Sequence, residues 1–181
     1  MDPKLTYTDL REMPEDGWRY ELLEGDIVGS PPPTVRHQRI VFRLAMLLGE
    51  AERSGAGIAL TAPTDVVLDD DLNALEPDLL FIRRARVGYV TTETHIQGAP
   101  DLVIEVLSRR TAARDLGPKL AVYARYGVPF YWVADPDADT VRVHELQGTD
   151  YARPRLLRGQ DLLSCPLFPD VTIPVSQLFT A

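Results

Sequence analysis

The sequence has few of the residues on which several common kinds of site depend. Its 181 residues include one cysteine, Cys165, which excludes an internal disulfide and is best interpreted as a small buried apolar residue. The three histidines, His37, His95 and His144, lie far apart without zinc-ligand spacing, which argues against a structural zinc site. The longest stretches without a charged residue, such as Ser54 to Thr64, reach 11 residues and are too short to span a bilayer.

Positive charge is also scarce, since 19 Lys and Arg residues face 27 Asp and Glu residues and the net charge is −8. This balance argues against a generally basic nucleic-acid-binding surface, but it allows a local site in which clustered carboxylates hold a divalent ion. No apolar segment follows Met1-Asp2-Pro3-Lys4, so we expect no secretory signal and predict a cytoplasmic protein. The length and the 45% hydrophobic content predict a single domain over residues 1–181.

The hydrophobic pattern predicts a mixed sheet flanked by helices, and therefore an α/β fold of the α+β mixed-sheet kind. In chain order, the pattern predicts a short helix over 5–13, a hairpin over 20–28, a helix over 35–53, a long or broken strand over 58–60 and 66–68, a solvated turn at Asp69-Asp70-Asp71, a strand over 79–82, a buried central strand over 100–107, a helix over 112–126, strands over 130–133 and 141–144, and a proline-containing tail over 162–179 that packs on the core.

Three acids stand out against this background. Asp101 and Glu105 face the same side of the predicted central strand, because alternate residues of a strand share a face. Glu105 lies within an apolar run, where a carboxylate is costly to bury unless a cation or hydrogen-bond donors meet it. The alternative is a structural ion pair with an arginine such as Arg109. Asp78 heads the strand before it, and its alternative interpretation is an ordinary turn acid.

Together, Asp78, Glu105 and a nearby lysine form a set that could carry out chemistry. Two carboxylates on neighbouring strands can bind Mg²⁺, which lowers the pKa of a bound water and neutralises charge on phosphate oxygens. Lys119, on the next helix, could orient the water or stabilise the transition state. The alternative is a surface lysine paired with Asp115 four residues earlier. Pro118 requires the helix either to begin near Gly117, which brings Lys119 to the end of the central strand, or to kink there.

Several segments together resemble the Uma2 family of restriction-endonuclease-like proteins, over roughly residues 7–179. The segments that carry the resemblance are Arg19-Tyr20-Glu21-Leu22-Leu23-Glu24-Gly25, Arg36-His37-Gln38, Glu76-Pro77-Asp78-Leu79-Leu80-Phe81, Ala99-Pro100-Asp101-Leu102-Val103-Ile104-Glu105-Val106-Leu107-Ser108, Asp115-Leu116-Gly117-Pro118-Lys119-Leu120-Ala121-Val122-Tyr123-Ala124 and Gly127-Val128-Pro129-Phe130-Tyr131-Trp132-Val133.

That family is similar to the PD-(D/E)XK nuclease superfamily, and the resemblance implies a restriction-endonuclease-like three-layer core. Its order is helix-strand-strand-strand-helix-strand, here with an N-terminal hairpin and a C-terminal extension. By this likeness Asp78 is the first acid of the motif and Glu105 the second. The superfamily lysine normally follows two residues after the second acid, where this sequence has Leu107. The resemblance implies that Lys119 supplies the ammonium instead.

The resemblance also assigns supporting roles. Glu21 matches a further acid and completes the catalytic set of Asp78, Glu105 and Lys119. The predicted ligands of Mg²⁺ or Mn²⁺ are Asp78, Glu105 and the backbone carbonyl of Val106. Asp101 and His37 match family positions and are accessory candidates. The arginines that flank the site in sequence, and that could contact phosphates, are Arg109, Arg110 and Arg114.

Three functions remain open from the sequence. The first is a metal-dependent endonuclease that acts on nucleic acid, with DNA as the expected substrate and a homodimer or higher homo-oligomer as the expected assembly. The second is a non-catalytic module that keeps the nuclease fold and binds nucleic acid or protein, which the acidic balance and Leu107 favour. The third is a metal hydrolase for a small phosphate ester. No membrane partner is expected.

Overall fold

The computed structural model describes residues 3–68 and 72–180. The α-helices in these ranges are Tyr7–Leu10 (α1), Val35–Arg53 (α2), Val87–Val90 (α3), Ala112–Asp115 (α4), Pro118–Arg125 (α5) and Val175–Phe179 (α6), with a 3₁₀ turn at Arg84–Arg86. The strands are Arg19–Leu23 (β1), Asp26–Ser30 (β2), Gly57–Thr61 (β3), Val66–Val67 (β4), Ala74–Leu75 (β5), Leu79–Arg83 (β6), Ile96–Gln97 (β7), Leu102–Val106 (β8), Phe130–Asp135 (β9), Thr140–Gln147 (β10), Asp150–Tyr151 (β11), Arg155–Arg158 (β12), Leu162–Leu163 (β13) and Ile173–Pro174 (β14).

The larger sheet has the strand order β11-β10-β9-β8-β6-β3, and β12 pairs with β10 beside this path. The strand β8 lies near its centre, antiparallel to β6 and parallel to β9. All five residues of β8 are buried, which explains its unbroken apolar pattern because both faces of the sheet are covered. The prediction of a buried central strand is therefore confirmed.

Helices cover this sheet on both faces. The long helix α2 packs Ile40, Leu44 and its other inner side chains against Phe81 and Ile104 on one face. Val122 and Tyr123 of α5 pack on the other face, against residues that include Val103. The result is a three-layer arrangement of mixed sheets and helices, as the sequence predicted.

The helix α2 begins and ends where the sequence predicted. Thr34 caps its N-terminus by accepting a hydrogen bond from the backbone N–H of His37 at 3.2 Å. After Arg53, Gly55 adopts a φ of +83°, a conformation that ends helices and that glycine adopts without steric cost. The first helix is shorter than predicted and spans Tyr7–Leu10 within the predicted 5–13, with Thr6 and Asp9 forming a capping box.

A smaller sheet, with the strand order β2-β1-β5-β4-β7, lies beside the first. The predicted hairpin is its β1–β2 pair, with Leu23 opposite Asp26 and a turn at Glu24 and Gly25. The predicted long or broken strand is two strands in two different sheets, since β3 pairs with β6 and β4 pairs with β5 and β7. Asp69, Asp70 and Asp71 lie outside the described residues.

The region predicted as one helix over 112–126 divides into α4 and α5. Pro118 is the first residue of α5, where the missing N–H of proline costs no helical hydrogen bond. A side chain at Gly117 would come within 2.8 Å of the carbonyl oxygen of Ala113, so only glycine allows α5 to start this close to α4. Of the two alternatives for Pro118, the first is therefore correct, and Lys119 lies in the first turn of a new helix.

The tail packs on the core through Leu163, Val175 and Leu178, which are all buried with the α2 side of the larger sheet. This placement agrees with the prediction for residues 162–179. No helix in residues 3–68 and 72–180 combines the length and the apolar character that a membrane span requires.

Candidate active site

A cleft of about 630 Å³ opens at one end of the strands of the larger sheet, where β6 begins and β8 ends. Leu79 lies opposite Ile104 in the antiparallel pair, so the next positions toward the cleft are Asp78 and Glu105. Both side chains line the cleft, yet Asp78 is only 2% exposed and Glu105 only 3% exposed. The strand register thus places the two predicted acids side by side at the inner end of the cleft.

Lys119 reaches the same point from α5. Its Nζ lies 2.5 Å from Oε1 of Glu105 and 2.8 Å from Oε1 of Glu21. Oδ1 of Asp115 is farther away, at 3.7 Å. Because Lys119 is 1% exposed, it is not the surface lysine of the alternative interpretation, although the contact with Asp115 exists. The structure therefore brings together Glu21, Glu105 and Lys119 from three separate segments.

Glu21 is held in place by more than Lys119. Its Oε1 also accepts a hydrogen bond from the backbone N–H of Glu76 at 2.9 Å. Its Oε2 lies 3.4 Å from the Arg114 guanidinium, which also donates a hydrogen bond to Oγ of Ser30. Arg114, one of the predicted phosphate contacts, is thus already occupied by protein groups within the cleft wall.

Asp78 has partners of its own. The Arg19 guanidinium lies 3.0 Å from Oδ1, and Nε2 of His37 lies 3.1 Å from Oδ2. Oδ2 also accepts a hydrogen bond from the backbone N–H of Val106 at 2.8 Å. Burial opposes ionisation of Asp78, but the hydrogen bond and charge of His37, with Arg19 and Val106, lower its pKa to about 2. Asp78 is therefore a carboxylate at neutral pH.

Arg19 is a site residue that the sequence reasoning missed. It lies between two acids, with Nε 2.8 Å from Oε1 of Glu76 and Nη1 3.0 Å from Asp78. Burial raises the pKa of Glu76 to about 7, although the charge of Arg19 opposes this rise. A signal was available, because Arg19 and Glu21 are two residues apart on one strand and therefore share a face.

Negative charge accumulates around Lys119. Burial raises the pKa of Glu105 well above its usual value, and the carboxylates of Asp115, Asp78 and Glu21 raise it further while Lys119 opposes them. Burial likewise raises the pKa of Asp115. Although burial opposes it, the pKa of Lys119 is raised well above its usual value by Glu105 and Glu21. The lysine is therefore an ammonium at neutral pH, while the acids around it outnumber it.

The donor chemistry of this site suits a hard divalent cation. Carboxylate and carbonyl oxygens are the ligands that Mg²⁺ takes, and an ion near Glu105 would offset the burial and the like charges that raise its pKa. Across residues 3–68 and 72–180, no three or more His, Cys, Asp or Glu side chains form a ready metal cage. Mg²⁺ does not require one, since it usually binds one or two carboxylates and completes its shell with waters and substrate phosphate.

The remaining predicted residues occupy different positions. Arg109 and Arg110 line the cleft mouth, and Arg109 is 90% exposed beside Asp137 at 3.3 Å. Leu107, which stands where the superfamily lysine is expected, also lines the cleft. Asp101 does not line the cleft, since it is fully buried and paired with Arg83 at 2.7 Å and Arg86 at 3.0 Å. Its contacts hold the end of β6 and the turn that follows.

Comparisons with known proteins agree with this architecture. Residues 7–176 match the family model Uma2, described as "Putative restriction endonuclease". The fold is similar to a crystal structure described as "a putative nuclease belonging to DUF820" from Anabaena variabilis, with a TM-score of 0.80, 20% identity and 97% of each chain covered. At that identity the likeness concerns the fold. No relative was found among curated proteins.

Proposed function

This chain belongs to the Uma2 family, and from that premise we propose that it is a divalent-metal-dependent nuclease that hydrolyses phosphodiester bonds of DNA. The observation that carries the proposal is the position of Asp78, Glu105 and Lys119 at the inner end of one cleft. Paired carboxylates that can bind a metal, beside a charged ammonium, supply what hydrolysis of a phosphodiester requires.

In this proposal the ligands of Mg²⁺ or Mn²⁺ are Asp78, Glu105 and the backbone carbonyl of Val106. When bound, such an ion supplies a water of lowered pKa and neutralises charge on the phosphate oxygens. Asp78 is prepared for this role because its pKa of about 2 keeps it ionised. Val106 also positions Asp78, since its backbone N–H donates to Oδ2.

Lys119 has a separate task in the proposal. Its raised pKa keeps the side chain charged, so it can hold the attacking water or stabilise negative charge that develops on the phosphate. Glu21 is the auxiliary acid that, together with Glu105, fixes the ammonium in place. Arg109 and Arg110 at the cleft mouth are the proposed phosphate contacts. The proposed unit is one domain that acts as a homodimer, so that each strand of a duplex meets one site.

The direct test is incubation of supercoiled plasmid with Mg²⁺ or Mn²⁺. We expect the parent protein to nick the plasmid and expect Asp78→Asn, Glu105→Gln and Lys119→Met each to lose activity by about a hundredfold or more. Asp170→Asn, which changes an exposed acid outside the cleft, is the matched control and should nick normally. Equal nicking by all variants would indicate a contaminant and contradict the proposal. A labelled RNA of the same sequence, run in parallel, tests the preference for DNA.

A second candidate is a non-catalytic module that keeps the nuclease fold, and the partners of Asp78 favour it. Arg19 and His37 contact the two oxygens that a metal ion would use. Calorimetric titration with Mn²⁺ separates the candidates without an activity assay. Stoichiometric binding that Glu105→Gln abolishes supports the nuclease, whereas no binding to either protein supports the module.

A further inference from the structure

The long helix α2 is apolar on two opposite faces, and only one of them is covered in the described structure. Its inner face packs on the larger sheet. Its outer face exposes Val35 by 79%, Phe42 by 65% and Met46 by 57%. Single exposed apolar residues are common on protein surfaces, but an aligned set on one stripe marks a binding surface.

The spacing of this outer stripe is that of a helix–helix seam. From Val35 the stripe continues through Arg39, Phe42, Met46 and Gly49, at intervals of four, three, four and three residues. This alternation keeps the stripe on one side of the helix over successive turns, which is the pattern that packs against a second helix. A shallow groove beside Phe42 and Met46 follows the same stripe.

We propose that the outer face of α2 binds the same face of a second copy of this chain, with the two helices antiparallel about a twofold axis that crosses the outer stripe midway between Phe42 and Met46. A twofold axis at this point places Phe42 of each copy opposite Met46 of the other. It also places Arg39 opposite Gly49. An isologous contact of this kind closes on itself and gives a dimer, not a filament.

The sizes of the facing residues complement each other in this arrangement. The apolar pairs of Phe42 and Met46 form the centre of the interface, on both sides of the axis. At its ends, the long Arg39 side chain lies over Gly49, where an added Cβ atom would meet nothing within 4 Å. The backbone at Gly49 is therefore open to a partner side chain.

The charges select the antiparallel orientation. Arg39 is exposed near the N-terminal end of the stripe. Near the C-terminal end, beside Gly49, Glu50 is 57% exposed, and its contact with Arg53 of the same helix, at 3.6 Å, is an exposed pair that contributes little. In the antiparallel pair, Arg39 of each copy lies close to Glu50 of the other. A parallel pair would instead bring Arg39 against Arg39 and Glu50 against Glu50, which is unfavourable.

The interface is small, so the dimer is in equilibrium with the monomer. A helix of 19 residues is about 28 Å long. The surface area buried by one such helix pair lies near the lower limit for stable complexes, which is about 1,200 Å². The inner face of α2 carries His37 to the cleft at Asp78. Given the helical rise, the two His37 residues of the dimer lie about 20 Å apart along the helix axis.

Sedimentation equilibrium of the whole chain over a wide concentration range tests this interface. We expect the mass to rise with concentration from 20.2 kDa towards twice that value. Phe42→Glu should remain monomeric throughout, because dimerisation would bury one carboxylate of each copy against Met46 of the other without a charged partner. Tyr89→Glu is the matched control, since Tyr89 is 88% exposed on α3, and it should dimerise like the parent.

A charge exchange tests the register and orientation. Arg39→Glu and Glu50→Arg should each weaken the dimer by about tenfold, since each change affects two symmetric contacts. The combined variant Arg39→Glu with Glu50→Arg should restore it. A monomer at every concentration, a dimer that Phe42→Glu leaves intact, or a double variant without recovery overturns the proposal. Equal melting temperatures of all variants verify that each one is folded. Neither the sedimentation nor the melting measurement depends on nuclease activity.

Discussion

Inside the protein, carboxylates replace the water that would surround the Lys119 ammonium in solution, and this affects both stability and chemistry. It is 1% exposed and contacts Glu105 and Glu21 at 2.5 and 2.8 Å. A buried charge without a partner is strongly unfavourable, so each member of this group depends on the others. Loss of activity in a Lys119 variant is therefore informative only if the variant is shown to be folded.

The first prediction concerns that dependence. Lys119→Met should lower the free energy of unfolding by about 3–5 kcal/mol at neutral pH, because it leaves Glu105 buried without its cation and leaves Glu21 with Arg114 alone. The deficit should shrink as the pH falls, since protonation removes the uncompensated charge. Urea denaturation at several pH values measures both effects.

A compensating variant is the control for this experiment. Lys119→Met combined with Glu105→Gln removes the cation and one of the acids together, and should recover a substantial part of the lost stability. If the single Lys119→Met variant is as stable as the parent, the ion pairs contribute little to the fold.

The second prediction at this scale concerns Arg19, which occupies Oδ1 of Asp78. Arg19→Met should strengthen Mn²⁺ binding by about tenfold, because it removes a competing cation and leaves negative charge behind, and each factor of ten corresponds to about 1.4 kcal/mol. Isothermal titration calorimetry measures the change. Arg36→Met is the matched control, because Arg36 lines the same cleft but pairs with Asp139. Weaker binding by Arg19→Met would mean that Arg19 supports the site instead of competing with the ion.

At the scale of elements, the cleft depends on the pairing of three strands. The register of β6 with β8 places Asp78 beside Glu105, and β3 covers the outer edge of β6. Gly57, the first residue of β3, lies against the backbone of Ile82 in β6, where an added Cβ atom would collide with the Ile82 carbonyl oxygen. This glycine is therefore required by packing, since its strand must come close to its neighbour.

The third prediction follows from this close approach. Gly57→Ala should lower the free energy of unfolding by about 1–3 kcal/mol, because the methyl group also comes within 2.8 Å of the Phe81 ring. Gly88→Ala in α3 is the matched control, since an added Cβ atom there meets nothing within 4 Å. Gly88→Ala should leave the stability unchanged or raise it by up to about 1 kcal/mol. Equal destabilisation by the two variants would contradict the packing explanation.

For the whole molecule, a buried histidine away from the cleft makes stability depend on pH. His144 is 6% exposed and lies against the rings of Tyr131 and Tyr151, and its Nε2 has no hydrogen-bond partner within the described residues. Burial lowers the pKa of His144, and the charge of Arg142 lowers it further. The folded protein therefore favours the neutral ring more strongly than the unfolded chain does.

The fourth prediction applies this shift with its sign. In the unfolded chain the pKa of a histidine is about 6.5. Well above this pH the ring is neutral in both states, and the lowered pKa of His144 does not affect stability. As the pH falls below it, the unfolded chain binds a proton more readily than the folded protein does, so the free energy of unfolding decreases. His144→Phe should therefore lose less stability than the parent between neutral pH and about pH 5. Chemical denaturation across this range measures the difference, and His95→Phe controls for removing an imidazole elsewhere. Parallel curves for the parent and His144→Phe would contradict the prediction.

The sequence by itself determined the elements whose signals are local. The helix over 35–53 has an apolar period, a threonine cap and a following glycine, and it forms as predicted. The central strand and the β1–β2 hairpin follow in the same way from an unbroken apolar run and from a two-residue turn. Glu105 was identified because a carboxylate within such a run requires a partner.

The tertiary structure alone decided which residues meet. Whether Lys119 contacts Asp115 alone or also Glu105 and Glu21 depends on how α5 packs on the sheet, and no spacing in the sequence encodes that distance. The ion pair of Arg19 with Asp78 and the separation of Asp101 from the cleft likewise depend on how distant segments pack together. The physical reason is that periodicity and capping act over a few residues, whereas ion pairs in the core join segments that only chain folding brings together.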